Sequence, residues 1–196
     1  MPANTEIDKS VSTRERLTTA MIRVIGSDGL HAASVRTIAR EAGCNEAVLY
    51  QHFPSKGAML EAIHEEIVTK MADEKSRLVA STKDVRALIH AWIEVTYTNF
   101  DRNPDAFAYA LLSFPPVVHK ENPTSDIQSR ILLNALESLD PPEGFTTRTD
   151  MLSLVAFRSL LLGIPREIHL GSMEGPAIRH ATDIARMTES ILFKPV

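Results

Sequence analysis

A chain of 196 residues with 44% hydrophobic and 23% charged side chains has the balance of a soluble globular protein of one domain or two small ones, large enough to bury a core without a staple. Its single cysteine, Cys44, excludes an internal disulfide framework or a Cys-rich zinc site, and its longest apolar-rich run, Met151–Ile164, contains Arg158 and falls short of the roughly 20 residues that span a bilayer. The net charge of −4 excludes a uniformly basic nucleic-acid binder: through Lys56 there are seven Lys/Arg against six Asp/Glu, and beyond it 14 against 19, so any DNA contact must come from a local N-terminal patch.

Apolar residues recur at helical spacing throughout, and neither an alternating strand pattern nor an Asn-Gly hairpin stands out. Met1–Lys9 lacks the basic-then-apolar progression of a secretory leader, so a cytoplasmic location and no membrane partner are expected. The first helix is predicted to open at the capping box Ser12-x-x-Glu15 and to carry Leu17, Met21, Val24 and Ile25 inward, with Gly26 and Gly29 marking its end. A second opens at Ser34 with Val35, Ile38 and Ala39 on one face and stops at Gly43, which tolerates positive φ. Asn45 caps a short third helix holding Val48, Leu49 and Phe53; Pro54 ends it and Ser55 caps a long fourth helix from about Lys56 toward Val79.

The fifth helix follows Ser81-x-x-Asp84, and the sixth starts at Asn103-Pro104 and ends before Pro115-Pro116. The seventh begins near Asn122-Pro123 or Ser125-x-x-Gln128 and stops at Pro141-Pro142. The eighth opens at Thr147-x-x-Asp150 and is apolar nearly all round through Ile164; the ninth runs from Gly175-Pro176 to about Phe193. These are about nine helices, an all-α protein.

Ser34–Phe53 reads helix, glycine turn, short helix, which is the helix-turn-helix arrangement whose second helix enters the DNA major groove. In Val35-Arg36-Thr37-Ile38-Ala39-Arg40-Glu41-Ala42-Gly43 and in Leu49-Tyr50-Gln51-His52-Phe53-Pro54-Ser55-Lys56 the chain resembles the TetR family of transcriptional regulators, over about residues 12–62. The resemblance implies a homodimeric, ligand-responsive DNA-binding protein, usually a repressor released from a palindromic operator in double-stranded DNA by a small-molecule effector. It implies a helix-turn-helix domain over residues 1–55, joined by the fourth helix to an effector-binding and dimerisation domain over 56–196.

Chemistry assigns the DNA contacts within that motif. Arg36 can take a guanine bidentately, Gln51 can reach an adenine or a phosphate, Glu46 can accept from a cytosine amino group, and Ala47 or Val48 can meet a thymine methyl. Ser34 and Asn45 stand at the two helix starts. Tyr50 and His52 can donate to phosphates, and Lys56 begins a helix whose free N–H groups favour an anion. By resemblance, Arg36, Glu46, Ala47 and Val48 match base-facing positions, and Tyr50, His52 and Lys56 match phosphate-holding ones. Each has a plainer reading: Glu46 stabilises a first helical turn without DNA, Arg36 and Arg40 are solvated charges, and Tyr50 packs on the first helix. Cys44 beside the turn reads as a redox switch or simply as a small buried apolar residue.

The eighth helix carries Met151, Leu152, Leu154, Val155, Phe157, Leu160, Leu161, Leu162 and Ile164, more apolar circumference than one core face requires. It therefore buries a second side: by resemblance, against a copy of itself and the ninth helix (Ile178, Ile184, Met187, Ile191, Leu192), or, alternatively, at the centre of a monomer. An effector cavity is expected among the fourth to eighth helices, with Trp92, Tyr97, Phe107, Phe114, Phe157 and Arg158 as candidate lining. Arg158, a cation in an apolar run, calls for a partner: an acid across a dimer or an anionic ligand.

No Gly-rich phosphate loop, His-Glu-x-x-His helix or Gly-x-Ser-x-Gly elbow occurs, and His64-Glu65-Glu66 lacks a second histidine four residues on. Neither catalytic residues nor a metal or cofactor is expected, and the chain is read as no enzyme. The alternatives are a helical adaptor that has lost DNA binding, and an activator of the same fold.

Overall fold

The computed structural model describes residues 12–112 and 127–196. Nine α-helices occur among them: α1 Thr13–Ala32, α2 Val35–Glu41, α3 Glu46–His52, α4 Lys56–Ser81, α5 Val85–Arg102, α6 Pro104–Phe107, α7 Ile127–Ser138, α8 Met151–His169 and α9 Ala181–Leu192. The chain divides into two compact units at Ile63/His64, within α4.

Helix starts form where short polar side chains accept orphan N–H groups; the eighth opens at Asp150, Thr147 lying in a strand. Ser12 and Glu15 make the reciprocal capping box, and Ser34, Asn45, Asp84, Asn103 and Asp150 each accept from the backbone three residues on. Ser55 Oγ accepts from Ala58 N at 3.1 Å at the start of α4. Each such cap is worth about 1 kcal/mol.

The first unit is a small core: Leu17, Met21, Val24 and Ile25 of α1, Ile38 and Ala39 of α2, Leu49 of α3, Phe53, and Met59, Leu60 and Ile63 of α4 are all buried. The second unit buries Val85, Ile89, Trp92, Ile93, Tyr97 and Phe100 of α5 with Phe107, Leu132, Leu136, Phe157, Leu161, Ile184 and Leu192. Polar ties fasten α5 to the C-terminal elements. Asp101 accepts from Ala177 N at 2.7 Å and Ile178 N at 3.0 Å, and Glu189 pairs with Arg86 at 3.1 Å and His90 at 3.0 Å.

Several boundaries differ from expectation. Gly26 does not end α1; the interruption falls at Gly29, whose φ of +80° leaves the helical region. The sixth helix is one α turn followed by a π-helical turn, Ala108–Leu112, and Pro115-Pro116 and Asn122-Pro123 lie outside the described residues. The eighth helix runs beyond its apolar stretch, through Pro165 to His169. The ninth starts as a 3₁₀ turn, Ala177–His180, before α9. Two strands also appear, β1 Phe145–Thr147 and β2 Phe193–Pro195, paired antiparallel with Phe145 opposite Pro195. Three residues are too few for an alternating pattern to register in sequence.

Candidate nucleic-acid interface and effector cavity

The turn between α2 and α3 is built locally. Gly43 takes φ +67°, its N–H bonds Arg40 O at 3.1 Å, and Cys44 N bonds Ala39 O at 2.9 Å. These 1→4 and 1→6 bonds satisfy carbonyls that the end of α2 would leave unpaired. Arg16 of α1 completes the arrangement: its Nη2 donates to Ala42 O at 2.6 Å and Gly43 O at 3.3 Å. A second tie, Arg23 to Glu41 at 2.8 Å, joins α1 to the last turn of α2. Sequence reasoning missed Arg16 because its partners are carbonyls 26 and 27 residues away.

α3 is amphipathic over barely two turns. Leu49 and the following Phe53 are buried, whereas Glu46, Ala47, Tyr50 and Gln51, spaced i, i+1, i+4 and i+5, are exposed, as is His52. Val48 is half-buried. Arg36 and Arg40 on α2 are exposed and have neither a hydrogen bond nor an ion pair among the described residues. An unpaired guanidinium keeps its donor fork available for a base or a phosphate.

Three expected contacts already have intramolecular work. Ser34 Oγ caps α2 through Thr37 N at 3.0 Å and shares a hydrogen bond with Thr37 Oγ1 at 2.7 Å. Asn45 Oδ1 accepts from Val48 N at 3.0 Å. Lys56 is half-buried, its Nζ donating to Leu30 O at 3.4 Å. Thr37, drawn to the same α2 start by Ser34, was not singled out by sequence. Cys44 is free and half-buried.

The second unit holds a cavity that opens to solvent. α8 contributes Leu154, Phe157, Arg158, Leu161 and Leu162, α5 contributes Trp92 and Thr96, α7 contributes Gln128, Ser129 and Leu132, and the π-helical turn contributes Leu111. Of the aromatic and polar candidates, the structure brings Trp92, Phe157 and Arg158 to this wall. It does not bring Tyr97 or Phe107, which are buried in the core, Phe107 edge-on to Phe100 at 5.4 Å. Phe114 lies outside the described residues. The aliphatic wall and the polar Thr96, Gln128 and Ser129 went unforeseen. The legible signal was the i, i+3, i+4, i+7, i+8 row Leu154, Phe157, Arg158, Leu161, Leu162, one face of a helix.

Behind Trp92 sits Lys75 of α4, 1% exposed. Its ammonium donates to Trp92 O and Thr96 Oγ1 and lies 4.6 Å from the Trp92 ring centroid. Burial pushes this amine well below the ordinary lysine range, with the neighbouring Glu74 opposing the shift only partly.

Residues 17–63, covering the helix-turn-helix and the start of α4, match the model of the tetR family of bacterial regulatory proteins. Over that segment the chain is similar to the TetR family. It is 37% identical over 81 residues to HdnoR, an HTH-type nicotine-responsive transcriptional repressor of Paenarthrobacter nicotinovorans, over 41% of this chain and 42% of that one. It is 29% identical over 98 residues to the nucleoid occlusion factor SlmA of Vibrio cholerae, over half of each. The chain thus aligns with half or less of the length of these curated relatives. The whole fold is shared more widely: a putative tetR family regulator from Shewanella sp. PV-4 superposes with a TM-score of 0.73 at 20% identity, covering 94% of this chain and all of the other. A TetR family regulator from Marinobacter aquaeolei VT8 gives 0.72 at 21%, covering 93% and 96%. Among the described residues no helix is long and apolar enough to cross a membrane.

Proposed function

We propose that this protein is a sequence-specific DNA-binding transcriptional regulator, a homodimeric repressor released from a palindromic operator by a small molecule. The observation that carries the reading is the exposed face of α3, capped at Asn45 and anchored by Leu49, beside the unpaired Arg36, within the segment matched to the tetR family. Arg36, Glu46, Ala47, Val48 and Gln51 read bases; Tyr50, His52 and Lys56 hold phosphates, with Lys56 turning from Leu30 O to the DNA. Ser34 and Asn45 serve through their caps, which set the pitch of α2 and α3.

Dimerisation runs through α8 and α9. Met151, Leu152 and Val155 on α8, with Ile178 and Met187, are large apolar side chains left exposed in the single chain, which supports this face. Ile184 and Leu192 of the expected seam instead belong to the core of their own unit. The effector occupies the cavity lined by Trp92, Phe157 and Arg158. Coupling runs along α4, whose first turns belong to the DNA-binding unit and whose remainder belongs to the other. An effector preferring the non-binding form by about 1–3 kcal/mol lowers operator affinity 5- to 150-fold.

Selection of purified protein on a random duplex library, repeated at several salt concentrations, tests the reading: an enriched palindrome with steeply salt-dependent affinity is expected, and no enrichment with or without candidate effectors would overturn it. Two variants separate the roles. Arg36→Ala is expected to cost about 1–3 kcal/mol on the selected site and to relax preference at one base-pair position; an unchanged preference profile removes Arg36 from the base readers. Lys56→Ala is expected to weaken binding to all duplexes alike and to reduce the salt slope by about one per phosphate contact, measured by fluorescence anisotropy.

A further inference from the structure

We infer that the cavity of the second unit takes a small monocarboxylate with an apolar body, its carboxylate held by Arg158 at the mouth. The inference rests on the reading of this cavity as the effector site and names the class of effector.

The wall is mainly apolar, formed by Trp92, Leu111, Leu132, Leu154, Phe157, Leu161 and Leu162, and its neutral polar groups are Thr96, Gln128 and Ser129. Among the described residues Arg158 supplies the one charge on that wall, and no acid lines it. Nor does its own helix neutralise it: the residues three and four positions away are Val155, Leu161, Leu154 and Leu162, all apolar, whereas helical ion pairs form at those spacings. Among the described residues Arg158 makes no hydrogen bond or ion pair. A cation set into an apolar rim, with its donor fork unused, selects an anion, and the planar guanidinium matches a carboxylate bidentately. Because Arg158 is exposed, the carboxylate keeps part of its hydration and the pair avoids the cost of a fully buried one. The apolar body then lies along the apolar part of this wall. A neutral ligand leaves the guanidinium unused; a cation is repelled by it; a dicarboxylate places its second charge against leucines.

Trp92 is the only tryptophan of the chain and lies on the wall, so its fluorescence reports occupancy directly and without DNA. The full-length protein is titrated with hexanoate, octanoate, decanoate and a phenylalkanoate, each below its micellar concentration, and with the matching alcohols. Expected are saturable changes with the acids, tightening about three- to four-fold per added methylene until the cavity is full, and alcohols about ten-fold weaker. Arg158→Gln removes the preference for acid over alcohol while retaining alcohol binding, which shows that the cavity still folds; Arg158→Lys restores part of the preference. Equal affinity for acid and alcohol, no saturable change with any acid, or Arg158→Gln that leaves acid binding intact while altering the molecular mass each overturns the inference, the last assigning Arg158 to an interface between copies. Operator release measured in parallel separates the two readings. Acids that bind by Trp92 fluorescence without releasing DNA uphold the ligand class and sink the coupling. A neutral compound that releases DNA where the acids do not bind sinks the ligand class and leaves the regulator standing.

Discussion

Leu152→Glu is expected to convert the protein to a monomer and to weaken operator binding by on the order of 100-fold or more. Leu152 is 78% exposed and Met151 75% exposed at the start of α8, beside Asp150, whose carboxylate is already committed to the Ser153 N–H and hydroxyl. Single exposed apolar side chains are ordinary, whereas adjacent large ones mark a surface that meets a partner, and Val155 one turn on extends the patch. In a two-fold interface each substitution acts twice, and an unpaired carboxylate buried there costs about 3–5 kcal/mol. Loss of the proposed dimer would halve the DNA contacts, which is where the expected drop in affinity comes from. Sedimentation equilibrium of wild type and variant reads the result, with far-UV circular dichroism checking that the exposed position leaves the helices intact. A variant that stays dimeric at the wild-type association constant would place the interface elsewhere.

Lys75→Met is expected to stabilise the second unit and to flatten its pH dependence. The unfolded chain holds the Lys75 proton up to about pH 10.4, whereas burial makes the folded chain give it up at lower pH. Between those two points the unfolded state binds more protons, so stability rises with pH, by up to about 1.4 kcal/mol per unit, and is lowest below the folded value. Methionine matches the volume, carries no charge, and leaves Thr96 Oγ1 still donating to Trp92 O at 2.7 Å, so no buried group loses its partner. Replacing a buried charge by an apolar side chain of similar size gains about 1–4 kcal/mol at neutral pH or is neutral. Urea unfolding of both proteins from pH 6 to 10 tests this: the wild-type curve should climb toward the variant's as pH rises. Parallel curves would show that Lys75 keeps its proton in the fold.

The same two predictions show where sequence suffices and where it stops. That α8 carries too much apolar surface for one face is legible from Met151 to Ile164, because helical periodicity converts spacing directly into circumference. That Lys75 is buried is not: a lysine in a polar stretch of α4 reads as solvated, and only the approach of α5, with the Trp92 carbonyl and Thr96 hydroxyl, encloses it.

What the chain determined by itself is local. The caps at Ser12, Ser34, Asn45, Asp84, Asn103 and Asp150 and the glycine turn at Gly43 each depend on atoms within a few residues, so the order of the helices and the helix-turn-helix could be read without a structure. Tertiary packing decided the rest. It chose Trp92 and Phe157 for the cavity wall and put Tyr97 and Phe107 in the core; it set Arg16 on the carbonyls of Ala42 and Gly43, paired Phe145–Thr147 with Phe193–Pro195, and split the apolar residues of α9 between core and surface. An aromatic at helical spacing is equally apolar in either place, and which one it occupies is a property of the helices that meet it, not of its neighbours in sequence.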